Sequence, residues 1–530
     1  VSDPAPATGL PGRARRALPL AALVASLAAL PAPAQEPLSA IGWLSDSVAL
    51  PVGMPPGAAA LPEPPAGGAP TEPVDVTVLD TPAGGGLRDD AGLVTARAAG
   101  LPAAFWGATP ADVALRLIAT EPEGAVPALR DLLHAVLVAG LAPPADAAPP
   151  GAVVLARIDR LLDLGALDDA AALVEAAGPI TPDLFRRLFD AALLTGAEDA
   201  ACARLRDAPG VAPALPTRIF CLARGGDWAA AALTFDTALA LGQVTGDEAA
   251  VLARFLDPDG DDGAAPLAAP ARVTPLVLRL YEAIGEPIAT QGLPLAFAHA
   301  DLRATTGWKG QIEAAERLVR HGALPPARLW TLYRERLPAA SGGVWDRVEA
   351  IQRLDAALDA GDPAGVARRL PAAWAAMQAA DLEVAFAATY ADRLARLPLT
   401  GAAAGLAFRA ALLGPAADRA PLPADAGPEE RFLAALAQGR TDGVPGFGSL
   451  GRAIAPAFAA DPLPPPPEIA ALLASDRTGE AVLRAVALIG EGAAGDLRGV
   501  TAGLAALRQA GLEAAARHAA VQLLVLERRG

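Results

Sequence analysis

The chain reads as an all-α protein, an irregular α-solenoid of antiparallel helix hairpins, on the strength of three observations. Of the 530 residues 53% are hydrophobic but only 4% aromatic, and strand-favouring runs are scarce, so a core must be built mainly from Ala and Leu on helices. A short pattern recurs between residues 155 and 240, with a small residue at a turn followed by apolar, Ala, apolar and Ala at helical spacing. Its anchoring alanines Ala170, Ala201 and Ala231 stand 31 and 30 residues apart, a period expected of stacked helical repeats.

The pattern runs through Gly165, Leu167, Ala170, Val174 and Ala177, then Gly196, Glu198, Ala201, Leu205 and Ala208, then Gly225 or Gly226, Trp228, Ala231, Phe235 and Ala238. A Gly ends each first helix because it can turn left-handed there without a Cβ clash. Ala at the crossing points lets two backbones approach, and Val174, Leu205 or Phe235 fills the space one turn on. Pro182 and Pro213 stop the second helices of the first two units.

In its second half this arrangement resembles a tetratricopeptide repeat. Gly226, Asp227, Trp228, Ala231, Phe235 and Ala238 stand at that family's turn, small, aromatic and small positions in order. The family's first-helix signature, a Trp followed by Leu-Gly and Tyr, is missing from all three units. The resemblance implies a solenoid of helix pairs that offers an extended curved surface to other proteins.

Ahead of the repeats, Arg13, Arg15 and Arg16, an apolar stretch over residues 17–30 and Ala32-Pro33-Ala34 read as an export signal ending at residue 34. An uncleaved anchor or a misassigned start would give a similar pattern. The mature chain has no further stretch long and apolar enough to span a bilayer, so an exported protein is expected, periplasmic if the cell has an outer membrane. Residues 35–104 form a Pro/Gly-rich extension that cannot pack a core of its own. It carries an apolar island with Ile41, Trp43 and Leu44 and a lone strand-like alternation over residues 74–79. The island is suited either to docking on a partner or to folding back onto the solenoid.

Helices are expected from residue 105 onward in two repeat regions, 105–256 and 276–530, separated by an acidic Pro/Gly loop at 257–275. Thr109 should cap the first helix, with Pro110 at its first position. A second should cover residues 127–139, and a break follows at 143–150. Degenerate repeats are read at Gly310, Ile312, Ala315 and Val319, at Gly361, Pro363, Val366 and Leu370, and at Leu497, Val500, Leu504 and Leu507. Further loops are expected at 414–428 and 439–467. A last helix over residues 512–529, with Leu523, Leu524 and Leu526, should cap the stack.

Cys202 and Cys221 lie nearly equidistant from the middle of the proline-bearing turn between two units, which predicts a disulfide joining neighbouring repeats; two separate buried thiols are the other arrangement. Only Lys309 represents lysine among 43 basic residues, and the net charge of −16 argues against nucleic acid. No catalytic, cofactor-binding or metal-ligating residue is predicted. Asp257, Asp259 and Asp261 begin like a calcium loop, but Asp262 replaces the Gly and Ala268 the Glu that such a loop requires. The spaced glycines from Gly446 to Gly451 follow no credible strand. His134, His299, His321 and His518 share no ligand spacing.

The expected function is therefore a non-catalytic exported scaffold for other envelope proteins, without cofactors. The alternative is a cell-envelope, glycan-acting enzyme with a site made of dispersed carboxylates. Exported lytic transglycosylases carry such a superhelix, but the Glu-Ser dipeptide of their catalytic domain occurs nowhere here.

Overall fold

A computed structural model describes residues 86–120, 124–146, 149–257 and 265–526. The leader, the island with Ile41, Trp43 and Leu44, the alternation at 74–79 and most of the calcium-like loop lie outside the described residues.

The described chain is all-α apart from one short parallel pairing of β1 (Val94–Thr95) with β2 (Ala139–Gly140). The first nine helices are α1 (Ala111–Ala119), α2 (Pro127–Val138), α3 (Ala152–Asp163), α4 (Leu167–Ala177), α5 (Pro182–Thr195), α6 (Glu198–Asp207), α7 (Leu215–Arg224), α8 (Trp228–Ala240) and α9 (Gly246–Leu256). Then come α10 (Pro275–Ala283), a 3-10 segment (Leu295–Leu302), α11 (Trp308–Arg320), α12 (Pro326–Glu335), α13 (Val344–Asp359), α14 (Pro363–Gln378), α15 (Glu383–Ala395) and α16 (Gly401–Leu413). The last six are α17 (Pro428–Ala437), α18 (Gly448–Ile454), α19 (Pro467–Ala474), α20 (Thr478–Ala494), α21 (Leu497–Gln509) and α22 (Glu513–Val525).

From α3 to α10 each helix packs on the next. The turns between hairpin partners use left-handed glycines, Gly165 at φ 73°, Gly196 at 84° and Gly226 at 86°, so Gly226 rather than Gly225 makes the third corner. Ala170, Ala201 and Ala231 are 1%, 5% and 0% exposed, which places all three at helix contacts. Glu198 occupies an apolar slot of the pattern yet is buried, because Arg279 of α10 (3.2 Å) and Arg303 (3.3 Å) reach its carboxylate. A smaller core of α5–α10 joins Phe185, Phe220 and Val251 to Leu280. The larger core extends from Ala91 to Leu526.

Cys202 on α6 and Cys221 on α7 are joined by a disulfide, with Cα atoms 5.0 Å apart and 19 residues between them in sequence. A closed loop of this length removes about 3 kcal/mol of unfolded-chain entropy. Replacing both cysteines by Ser is expected to lower stability by about that amount in urea denaturation. A loss under about 1 kcal/mol would show that the bridge contributes little.

Several local expectations are corrected by tertiary contacts. Helix α1 starts at Ala111 rather than Pro110, and its first amide donates to Asp146 Oδ1 at 2.9 Å, so the cap comes from the 143–150 break instead of Thr109. Gly310 lies inside α11, not at a turn. Ala208 terminates α6 outside helical geometry and is half-buried, so it is no crossing point. Trp228 is 48% exposed: it begins α8 beyond the end of α7 and only leans on Phe255, ring centroids 5.8 Å apart.

The end of the chain also differs from a cap with a polar outer face. Ala516, Ala519 and Ala520 of α22 are fully buried, and the helix packs on α2, α16 and α17. The Ala128 amide, at the start of α2, donates to Gln522 Oε1 at 2.7 Å. Ala108 N also donates to Asp476 O (2.8 Å) and Gly479 N to Phe105 O (2.6 Å). Gly107 permits this approach, since a Cβ there would stand 2.0 Å from Asp476 O. The last helices thus close against the first ones.

Candidate functional site

That closure shapes a groove between α2 and α15. Helix α2 buries Leu129, Leu132, Leu133, Val136 and Leu137, which turns Arg130, Asp131 and His134 outward. Opposite stand Val384, Ala385 and Ala388 of α15, small and apolar. One recess of about 470 Å³ lies between α2, the first turn of α4, the end of α11 and the start of α15. A second, of about 430 Å³, continues toward the end of α16 and α22. Asp131, Val384 and Ala388 line both, so the two recesses share a waist.

Charges gather at the first recess. His134 Nε2 lies 2.8 Å from Asp169 Oδ2, an orientation that has the ring nitrogen donating to the carboxylate. Arg130 Nη2 donates to Arg320 O at 3.1 Å and Arg320 Nε to Ala380 O at 2.8 Å, so both guanidinium groups brace the walls. Asp381, in the turn before α15, holds a left-handed φ of 54° that a non-glycine residue seldom adopts. His321 contacts Arg317 O through Nδ1 at 2.9 Å.

The walls also set protonation. Loss of solvent around it raises the Asp131 carboxyl above its ordinary value, against the attraction of Arg130, His134 and His518. Burial lowers His321 and His518 below the usual imidazole range, and neighbouring arginines add to it. The groove therefore brings a destabilised carboxylate at its waist next to a carboxylate-oriented imidazole. Such a set can bind charged and polar groups of a chain, or polarise a water molecule. No group of three or more His, Cys, Asp or Glu residues placed to hold a metal ion occurs among the described residues.

None of these groove residues is a site expected from sequence. His134 and Asp169 lie 35 residues apart and His321 far beyond both, so no local spacing announces them. Of the expected packing residues, Ala170, Ala177, Ala201, Ala231, Phe235 and Ala238 are buried, in α4, α6 and α8. The glycines from Gly446 to Gly451 lead into the short α18, and a Cβ on Gly446 would stand 2.4 Å from Gly451 O, so close turning accounts for the spacing.

Fold and groove together define the class: among the described residues, an all-α set of packed helices whose last helix packs on α2, with a groove between α2 and α15. No family model, no curated protein and no solved structure matches it. No helix among the described residues is long and apolar enough to cross a membrane.

Proposed function

We propose that the protein is a non-catalytic, exported interaction scaffold, a tetratricopeptide-like solenoid, that holds an extended segment of another envelope protein between α2 and α15. The observation that carries this reading is the shared waist: Asp131, Val384 and Ala388 belong to both recesses, which gives one elongated groove with apolar walls and charged mouths. Such a lining suits a polypeptide, whose side chains alternate between apolar and polar. The sequential packing from α3 to α10 and the left-handed glycine corners support the solenoid assignment. Export to the periplasm is supported by the leader-like residues 13–34 and by the buried Cys202–Cys221 bridge, which suits an oxidising compartment.

A second reading, an envelope enzyme acting on glycan, draws on the His134–Asp169 pair and the raised Asp131 carboxyl. Among the described residues, neither recess is lined by a Phe, Tyr or Trp ring on which a sugar face could stack, which favours the scaffold.

One experiment separates the two. Ala388→Trp fills the waist, whereas Asp131→Asn leaves its volume unchanged. For a scaffold, a photo-crosslinker at Ala385 should capture a discrete protein in the periplasm, and Ala388→Trp should reduce the yield at least about tenfold, equivalent to roughly 1.4 kcal/mol of binding. Capture unchanged by the Trp would end the groove assignment. Hydrolysis of cell-wall glycan by the wild type, abolished by Asp131→Asn, would establish the enzyme instead.

A further inference from the structure

The groove between α2 and α15 carries a charge pattern that narrows what can lie in it. Among the described residues four carboxylates line the first recess, those of Asp131, Asp168, Asp169 and Asp381, against two guanidinium groups, those of Arg130 and Arg320. Both guanidinium groups already donate to backbone carbonyls, and Arg320 lies 4.0 Å from Asp381. Asp169 faces His134. Asp131 and Asp168 have no hydrogen bond and no ion pair among the described residues. The partial positive charge at the start of α4 offsets some of the charge of Asp168 and Asp169, but not that of Asp131, beyond the first turn of α2. Burial holds His321 and His518 below the usual imidazole range, so neither supplies a positive charge at neutral pH.

Beyond the waist the lining changes. In the second recess Asp131 and His518 are the titratable groups, and Leu132, Leu412, Leu413 and Pro415 make up much of the wall. The groove thus runs from an acidic end to an apolar one.

We propose that the segment held in this groove, on the scaffold reading above, is basic, with a Lys or Arg side chain in the first recess and an apolar side chain in the second. Charge complementarity carries the assignment: the first recess has carboxylates in excess, on a chain whose net charge of −16 attracts cations from a distance. The walls fit the shape of such a side chain. Leu167, Leu324 and Val384 stand beside the carboxylates, and a Lys or Arg lays its apolar stem along surfaces of this kind while its charged head meets the acids. A metal ion is the poorer occupant, because no group of three or more His, Cys, Asp or Glu residues among the described ones is placed to hold it. An acidic segment would set like charges against Asp131 and Asp168.

The test measures binding of two end-capped, fluorescent peptides to the full chain, one of alternating Lys and Leu and one of alternating Glu and Leu. The expected result is that the Lys-Leu peptide binds at least about tenfold more tightly than the Glu-Leu peptide. Asp131→Asn with Asp168→Asn should weaken the Lys-Leu peptide at least about tenfold, and since neither carboxylate bonds to the fold, the variant keeps its structure. The control pair, Asp207→Asn with Asp236→Asn, removes two exposed acids of α6 and α8 that line neither recess, and should leave the affinity within about twofold.

Equal weakening by the two pairs would overturn the proposal, since it would mean diffuse attraction to an acidic chain. So would equal affinity for the two peptides, or no binding of the Lys-Leu peptide up to about 1 mM. Binding of 1,4-diaminobutane as tight as that of the peptide would also overturn it, assigning the recess to a free diamine. Ala388→Trp separates this failure from that of the scaffold reading. If it abolishes binding of both peptides while the Asp131/Asp168 pair changes nothing, the groove holds a segment without regard to charge and only the basic preference falls. If it changes neither peptide's binding, the scaffold reading falls with it.

Discussion

Replacing Arg157 with Leu is expected to destabilise the fold by about 4 kcal/mol, read as a lower urea midpoint at unchanged slope. Arg157 is 1% exposed on α3. Its guanidinium donates to Leu137 O (2.7 Å), Ala139 O (2.6 Å) and Ala91 O (2.7 Å), the carbonyls flanking the β1–β2 pairing. Burial lowers its pKa to about 10, so it remains charged at neutral pH. The group is a fork that ties the start of the described chain to α2 and α3. Leucine would fill much of the volume but leave buried carbonyl oxygens without donors, each lost partner costing about 1–3 kcal/mol. Lysine should restore only part of the stability, because an ammonium cannot span three diverging carbonyls. A loss under about 1 kcal/mol for the leucine variant would show that other donors replace the fork.

The second large effect is a pH dependence seated at Asp190 on α5. Burial pushes this carboxyl up to about 7, opposed by Arg186, 3.6 Å away, and by Arg187, while Asp159 adds to the rise. In the unfolded chain the carboxyl returns to its ordinary value of 3.8. Between these two values the folded state binds a proton that the unfolded state has released, so stability falls as pH rises. The slope is about 1.4 kcal/mol per pH unit, with a total of up to about 4 kcal/mol lost between pH 4 and pH 7. Asparagine does not titrate. Asp190→Asn should therefore gain on the wild type steadily across that window and run parallel to it above pH 7.5. Denaturation of both proteins at a series of pH values checks this; a difference that stays constant with pH would remove Asp190 as the cause.

Arg157 and Asp190 have no sequence signature, and the reason is the same in both. Each is one charged residue on an amphipathic helix, which in isolation belongs to the solvated face. What buries Arg157 is the backbone of α2 and of the segment around Ala91, 66 residues away in sequence. The groove is hidden for the same reason. Asp131, His134, Asp169, Asp381 and His518 come from three helices and a turn whose order in the sequence does not reveal their convergence.

Helical identity, the glycine corners at Gly165 and Gly196, the burial of Ala170, Ala201 and Ala231 and the pairing of Cys202 with Cys221 were legible in the amino-acid order, whereas the third corner could be read only as Gly225 or Gly226. Each depends on interactions within a turn, a helix or two adjacent helices, and so on spacings that can be counted along the chain. The burial of Arg157, the exposure of Trp228, the Asp146 cap on α1 and the closure of α22 on α2 were decided only in three dimensions. They depend on which distant surfaces meet. A helix with several apolar faces can satisfy more than one such meeting, and only the packing of the whole chain selects among them.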